Sequence, residues 1–266
     1  MRATAAETTG TGAAGSTTQR PGRCYFAADV HLGGGDTATA RETERRFVAW
    51  LDRAAEDADA IFLLGDLFDF WFEYRRVVPK GFVRTLAKLA ELTGRGIRVV
   101  LLTGNHDQWM RDYLTAECGV ELYTRPQLFE INGQQLYLAH GDHMGVGREP
   151  WLLNRIFRSR TLRWLFAWGV HPDLALKFGH WWSRKSRKSH ARKGPIDPAI
   201  TEPLIGFARA YARTHRVDHF VFGHMHIARE YRDGTLHTVH LGGWEAPASY
   251  AVLEADGSLT LKTVAS

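Results

Sequence analysis

The stretch "IRVVLLTGNHD", Ile97 to Asp107, decides how this chain folds. A short aliphatic run, rich in β-branched residues, stops abruptly at a glycine and three polar side chains. That pattern reads as a strand buried on both faces that ends in a functional loop. "AIFLLGD", Ala60 to Asp66, repeats it, and "RCYFAADVH", Arg23 to His31, does so again. Helical patterns from about Ala38 to Ala58 and Pro79 to Arg95 separate the three. Strand, helix, strand, helix, strand predicts a layered α/β fold.

Further along, "LFEINGQQLYLAHGDH" reads as a hairpin turning at Asn132-Gly133, and "DHFVFGHMH" supplies another buried strand. Two more turns are predicted at Asp233-Gly234 and Asp256-Gly257, so the chain closes in antiparallel strands. The segment from about 149 to 194 breaks the rhythm: Trp, Leu and Phe at helical spacing, then the basic run "RKSRKSHARK". Its apolar positions are too many for one core-facing stripe, and it is predicted to be a helical insertion.

The 266 residues are 44% hydrophobic, enough for a sizeable core. Two cysteines, Cys24 and Cys118, give no disulfide framework and point to a reducing compartment. Residues 1–22 are small and polar without an apolar core, which predicts a disordered tail before a domain over 23–266. No uninterrupted apolar run of about 18 residues suggests a transmembrane helix. The formal net charge of +5 favours anionic partners without choosing among nucleic acid, anionic lipid and phosphorylated small molecules.

Each predicted strand delivers a polar cluster: Asp29 and His31, then Asp66, then Asn105-His106-Asp107, then His140, then His224 and His226. Sites in open α/β sheets lie beyond the carboxyl ends of the strands, where these clusters can converge. Imidazoles, carboxylates and one amide suit divalent Mn, Fe, Zn or Mg, and no thiolate joins them. There are ligands for two ions. Two ions about 3.5–4 Å apart would hold a bridging hydroxide and clamp both oxygens of an in-line phosphoryl transfer. The remaining histidines, His143, His171, His180, His190, His215, His219, His237 and His240, are expected to be structural or exposed.

These blocks, "DVH", "GDLFD", "GNHD", "HGDH" and "GHMH", resemble in order the signature of the calcineurin-like metallophosphoesterases. The resemblance implies a layered sandwich of mixed β-sheets flanked by helices. It implies one metal on Asp29, His31, Asp66 and His226, and a second on Asp66, Asn105, His140 and His224. Asp66 would bridge them, Asn105 would also face substrate, His106 would donate a proton or hydrogen bond, and Asp107 would orient His106. A non-catalytic scaffold of this fold would lack ligand residues, and none is missing here.

The finer likeness is to the UDP-2,3-diacylglucosamine diphosphatases of lipid A synthesis, through "GDLFDFWFEYRRVVPKGF", "GNHDQWMRDYL", "HGDHMG" and "LGGWEAPASYAVLEADG". That resemblance implies cleavage of a UDP-glycolipid pyrophosphate at the α-phosphorus, generally with Mn²⁺, by a cytoplasmic protein peripheral on the inner membrane. Arg155 stands near the place of a phosphate-contacting arginine in that group. Three positions depart from it: His106 replaces an arginine, "GHMH" replaces G-H-T-H, and Gly243 replaces an aspartate. The insertion is expected to form an acyl-binding lid, with Trp151, Leu152, Ile156, Phe157, Leu162, Trp164, Leu165, Phe166 and Trp168 as its apolar side chains. A nuclease or general phosphodiesterase would instead use the tryptophans and basic run on a single strand.

Overall fold

The structure, a computed structural model, describes residues 22–142, 144, 165–166, 168–179, 198–244 and 247–264. Residues 1–21 of the predicted disordered tail, Arg155, His143, His180, His190, the basic run, and Trp151, Leu152, Ile156, Phe157, Leu162 and Trp164 lie outside the described residues, whereas Gly22 is described and its carbonyl accepts from Asn132 Nδ2. Two sheets stack face to face between helices, the layered sandwich the sequence predicts. One holds β1 (Arg23–Ala27), β2 (Ala58–Leu64), β3 (Arg98–Leu102), β4 (Glu121–Tyr123), β10 (Ser249–Leu253) and β11 (Leu259–Thr263), in the order β11-β10-β1-β2-β3-β4. The other holds β5 (Gln127–Ile131), β6 (Gln134–Ala139), β7 (His219–Phe222), β8 (Arg229–Asp233) and β9 (Leu236–His240), ordered β5-β6-β7-β9-β8.

In the first sheet β1, β2 and β3 run parallel; in the second β6, β7 and β9 do. The carboxyl ends of each parallel group carry the predicted polar clusters. Phe26, Phe62, Leu64, Leu102, Leu138 and Val221 are among the buried side chains that fill the space between the sheets. A second apolar layer lies under α1 (Thr37–Ala54), α2 (Val83–Gly94) and α3 (Tyr113–Cys118). Phe47, Trp50, Leu51 and Ala54 supply the inward stripe of α1, spaced as a 3.6-residue period requires. The third layer seats Leu204, Ile205 and Ala208 of α4 (Glu202–Ala212) against the outer face of β6 and β7.

Helix α1 begins where Asp36 accepts from the Thr39 N–H at 2.8 Å, and ends before the predicted Ala58, which already belongs to β2. The Asn132-Gly133 turn forms as predicted, both residues at positive φ (52° and 74°). The later hairpin turns at Gly234-Thr235, one residue beyond the prediction, because Asp233 pairs with Leu236. Cys24 and Cys118 are buried free thiols, and burial pushes Cys24 up to about 12.

His219, His237 and His240 are buried, while His171 and His215 are exposed. His240 has no solvent exposure, and its Nδ1 has no hydrogen-bond partner among the described residues. Burial lowers its pKa to about 4. The unfolded chain, near 6.5, therefore binds the extra proton first. The stability contributed by neutral His240 is complete above about pH 6.5 and lost as the pH falls through 4. Urea unfolding at pH 7.5 and pH 4.5 is expected to show a smaller acid loss in His240→Phe, by up to about 3 kcal/mol. An equal acid loss in both proteins would refute that assignment.

Candidate metal centre

The backbone at the strand ends is held in an uncommon conformation. Asp29, His31, Asp66, His224 and His226 have φ between 50° and 71°, the left-handed region that side chains avoid. Each such residue costs of order 1–3 kcal/mol, and strain of this kind clusters where function over-determines the backbone. Close approach explains two of the glycines. A Cβ on Gly104 would lie 2.2 Å from Asp66 Oδ1, and one on Gly223 would lie 2.7 Å from the Ala28 Cβ. No other residue lets these loops meet.

One group forms around Asp29. His31 Nε2 and His226 Nε2 lie 3.1 Å apart, and Asp29 Oδ1 is 4.0 Å from the first and 3.5 Å from the second. Asp29 Oδ2 accepts from the His224 N–H at 2.8 Å, whereas Oδ1 is buried with no hydrogen-bond partner among the described residues. The other group forms around His140. Its Nδ1–H donates to the Leu64 carbonyl at 2.8 Å, which aims Nε2 into the crevice. That nitrogen faces Asn105 Oδ1 at 3.2 Å and Asp66 Oδ2 at 3.4 Å. The His224 ring stands edge-on to His140, centroids 5.1 Å apart. Asp66 links the groups, its Oδ2 also lying 3.7 Å from His31 Nε2. Each residue the sequence reading named as a ligand is thus brought to one crevice.

The charges there are mutually dependent. Burial pushes the Asp29 carboxyl up to about 8. Burial also opposes ionisation of Asp66, but the His140 and His106 imidazoles outweigh it and hold Asp66 well below the usual range. Burial holds His31 well below its ordinary value. An imidazole nitrogen, an amide oxygen and a carboxylate oxygen converge at His140, and Asp29 Oδ1 has no hydrogen-bond partner among the described residues; nitrogen and oxygen donors set this way suit a divalent ion. The residues fit divalent metal.

His106 sits beside this set. Its Nδ1–H donates to the Asp69 carbonyl at 2.8 Å, and its Nε2 is 3.9 Å from Asp66 Oδ2. Asp107 does not orient it, contrary to the sequence expectation. The Asp107 carboxylate, fully buried, accepts from the N–H groups of Gly104 (2.7 Å), Leu67 (2.8 Å) and Phe68 (3.4 Å). Its four acceptor lone pairs are better filled by three backbone donors than by one ring nitrogen, so Asp107 ties the β2 and β3 loops together. Asp69 was missed. Its carbonyl fixes the His106 ring, and its carboxylate lies 3.9 Å from His31 Nδ1. The signal was its place in "GDLFD", three residues after Asp66.

Of the insertion, residues 165–166 and 168–179 are described. Phe166 packs on Phe72 and Trp109 (centroids 5.1 and 5.5 Å), and Tyr74 donates to the Val170 carbonyl at 3.1 Å. Leu165, Trp168, Leu174 and Phe178 are exposed, Trp168 by 81%. Gly179 lies flat on Phe70, where an added Cβ would come within 2.3 Å of the ring. Gly179→Ala must therefore lift this segment or turn the ring, at a cost typical of overpacking. For the amphiphilic substrate that the sequence resemblance implies, the expected result is a KM about tenfold higher, with cleavage of a small soluble phosphodiester unchanged. Equal KM values for the variant and the parent would show that the contact yields freely.

The profile of the calcineurin-like phosphoesterases matches residues 22–228, and the chain belongs to that family. Its fold is a hydrolase fold that uses divalent metals. Among curated proteins it is 39% identical over 246 residues to a UDP-2,3-diacylglucosamine hydrolase of Porphyromonas gingivalis, covering 86% of this chain and 93% of that protein. A UDP-2,3-diacylglucosamine hydrolase of Pseudomonas aeruginosa PAO1 is 27% identical over 241 residues, covering 87% and 95%. Among solved structures, a phosphoesterase from E. coli aligns over 91% of this chain and 100% of its own with a TM-score of 0.43 and 15% identity. No helix among the described residues is long and apolar enough to cross a membrane.

Proposed function

We propose that this protein hydrolyses the pyrophosphate of UDP-2,3-diacylglucosamine, giving UMP and 2,3-diacylglucosamine 1-phosphate, with Mn²⁺ as its metal. The observation that carries this reading is the 39% identity to a hydrolase of that name along nearly the whole of both chains. Asp29, His31, Asp66 and His226 would hold one ion, and Asp66, Asn105, His140 and His224 the other. Such ions lower the pKa of water, to supply a nucleophile at neutral pH, and neutralise charge on phosphoryl oxygens. Asn105 would face the diphosphate. His106, its Nδ1–H anchored on Asp69, would donate a proton or a hydrogen bond from Nε2 to the leaving or transition-state oxygen. Asp107 keeps the His106 loop against the Asp66 loop.

The apolar half of such a substrate needs an apolar surface. A cleft of about 440 Å³ opens from Asn105 and His106 between the rings of Phe70, Trp109 and Phe178. The exposed Leu165, Trp168 and Leu174 lie on the same inserted segment and favour a peripheral seat on a membrane. The cytoplasmic face of the inner membrane is where a UDP-linked lipid A precursor would be met.

The deciding measurement is turnover by chelator-stripped protein with Mn²⁺ restored, on UDP-2,3-diacylglucosamine in detergent micelles, with products followed by mass. Mn²⁺-dependent release of UMP and the acylated sugar phosphate is expected. Cleavage of a generic phosphodiester or single-stranded nucleic acid, with the glycolipid untouched, would keep the metal centre and discard the substrate.

A further inference from the structure

The segment from Phe70 to Tyr74 alternates in what it touches. Phe70 lies against Gly179, the Phe72 ring packs on Phe166, and Tyr74 donates to the Val170 carbonyl, so every second side chain meets the inserted segment. Trp71 and Glu73, between them, are buried. Period-two alternation is the habit of an extended chain, and the backbone here pairs like one. The Trp71 N–H donates to the His106 carbonyl at 3.2 Å and the Glu73 N–H to the Trp109 carbonyl at 3.3 Å, with a parallel bridge between Phe72 and Trp109.

The Glu73 carboxylate closes this ladder. Its Oε2 accepts from the Arg111 N–H at 2.9 Å, and its Oε1 from the N–H groups of Asp112 and Tyr113 at 3.1 and 3.0 Å. A buried carboxylate persists only where donors satisfy it, and such charge-assisted bonds are about twice as strong as neutral ones. The clamp therefore fixes the loop that carries Trp109 against the segment that carries Phe70 and Phe72. Phe70 and Trp109 line the cleft beside His106, edge to face at 6.0 Å, and Phe72 supports Trp109 at 4.8 Å. The His106 end of the ladder has anchors of its own in Asp66, Asd69 and Asp107, so loss of the clamp loosens the Trp109 end first.

We propose that Glu73 is a positioning residue for the apolar part of the substrate, its carboxylate setting the spacing of the Phe70 and Trp109 walls. The inference rests on the UDP-2,3-diacylglucosamine reading. It adds to that reading a residue whose side-chain bonds all go to backbone amides of another loop, and which acts on the substrate only through the rings it holds.

The test is KM on UDP-2,3-diacylglucosamine in micelles, with Mn²⁺, beside cleavage of a small soluble phosphodiester. Glu73→Gln keeps the volume but turns an N–H₂ group toward backbone donors. It is expected to raise KM on the glycolipid about tenfold and to leave the small diester unchanged. In a double-mutant cycle with Trp109→Leu, the two KM effects should fail to multiply, because the clamp acts through the ring that the second variant removes. If the glutamine variant does not fold, Glu73→Asp, which keeps the charge one methylene back, carries the same comparison. Equal losses on both substrates would mean that the carboxylate only holds the fold. An unchanged KM, or effects that multiply fully with Trp109→Leu, would assign cleft spacing elsewhere; any of the three overturns the inference. Wild type that cleaves the small diester and not the glycolipid would instead end the substrate reading, and this inference with it.

Discussion

Asp66→Ala is expected to lower hydrolysis by about 10³-fold or more and to empty the site of at least one metal ion. The magnitude follows from position. Asp66 is the carboxylate that approaches the histidines of both groups, with Oδ2 lying 3.7, 3.9 and 3.4 Å from nitrogens of His31, His106 and His140. Its Oδ1 accepts from the His106 N–H at 2.9 Å, so the same side chain also sets the loop that presents His106. Losing several kcal/mol of charge stabilisation translates to about three decades in rate. Asp66→Asn separates the two roles, since the amide oxygen can still accept from the His106 N–H but carries no charge. Metal per chain by elemental analysis, beside kcat on a soluble phosphodiester, reads both. An alanine variant with two bound ions and turnover within tenfold of wild type would sink the dinuclear assignment.

Much of this was legible because the strand-end clusters are a one-dimensional signal. A run buried on both faces, such as Val99 to Leu102, announces both its fold class and the point at which the chain reaches the crevice. Asp29, His31, Asp66, Asn105, His140, His224 and His226, which meet in the crevice, stand at or just past the strand ends that this register marks. What the sequence withheld was second-order. Asp107 stands beside His106 in the chain, yet its carboxylate turns inward to three backbone donors, a choice made by tertiary unpaired N–H groups. Asp69 acts on His106 through a main-chain carbonyl, an interaction with no residue-type signature. The positive φ of five site residues is equally silent, since Asp and His are common outside that conformation. The hairpin at Gly234-Thr235 slipped by one residue because the pairing of Asp233 with Leu236, not the Asp-Gly pair, sets the register.

His106→Asn is expected to cost about 10²-fold in kcat on an alkyl phosphodiester, whose alkoxide leaves poorly, with little change in KM and none in metal content. Asparagine can still donate to the Asp69 carbonyl, so the loop keeps its anchor, but it has no proton to give. General acid catalysis by a positioned imidazole contributes about 10²–10⁴-fold, and the benefit depends on how poorly the leaving group departs unaided. The deficit should therefore shrink to within about tenfold on the glycolipid, whose leaving group is a phosphate monoester that departs about as readily as p-nitrophenolate and needs no proton. His106→Arg is the informative companion, because the resemblance read from the sequence implies arginine at that place. A guanidinium never deprotonates and can stabilise charge but not transfer a proton. If His106 is a proton donor, arginine should behave as asparagine does on the poor leaving group. If His106 only neutralises phosphoryl charge, arginine should restore activity on both substrates, and the asparagine deficit should be the same for each.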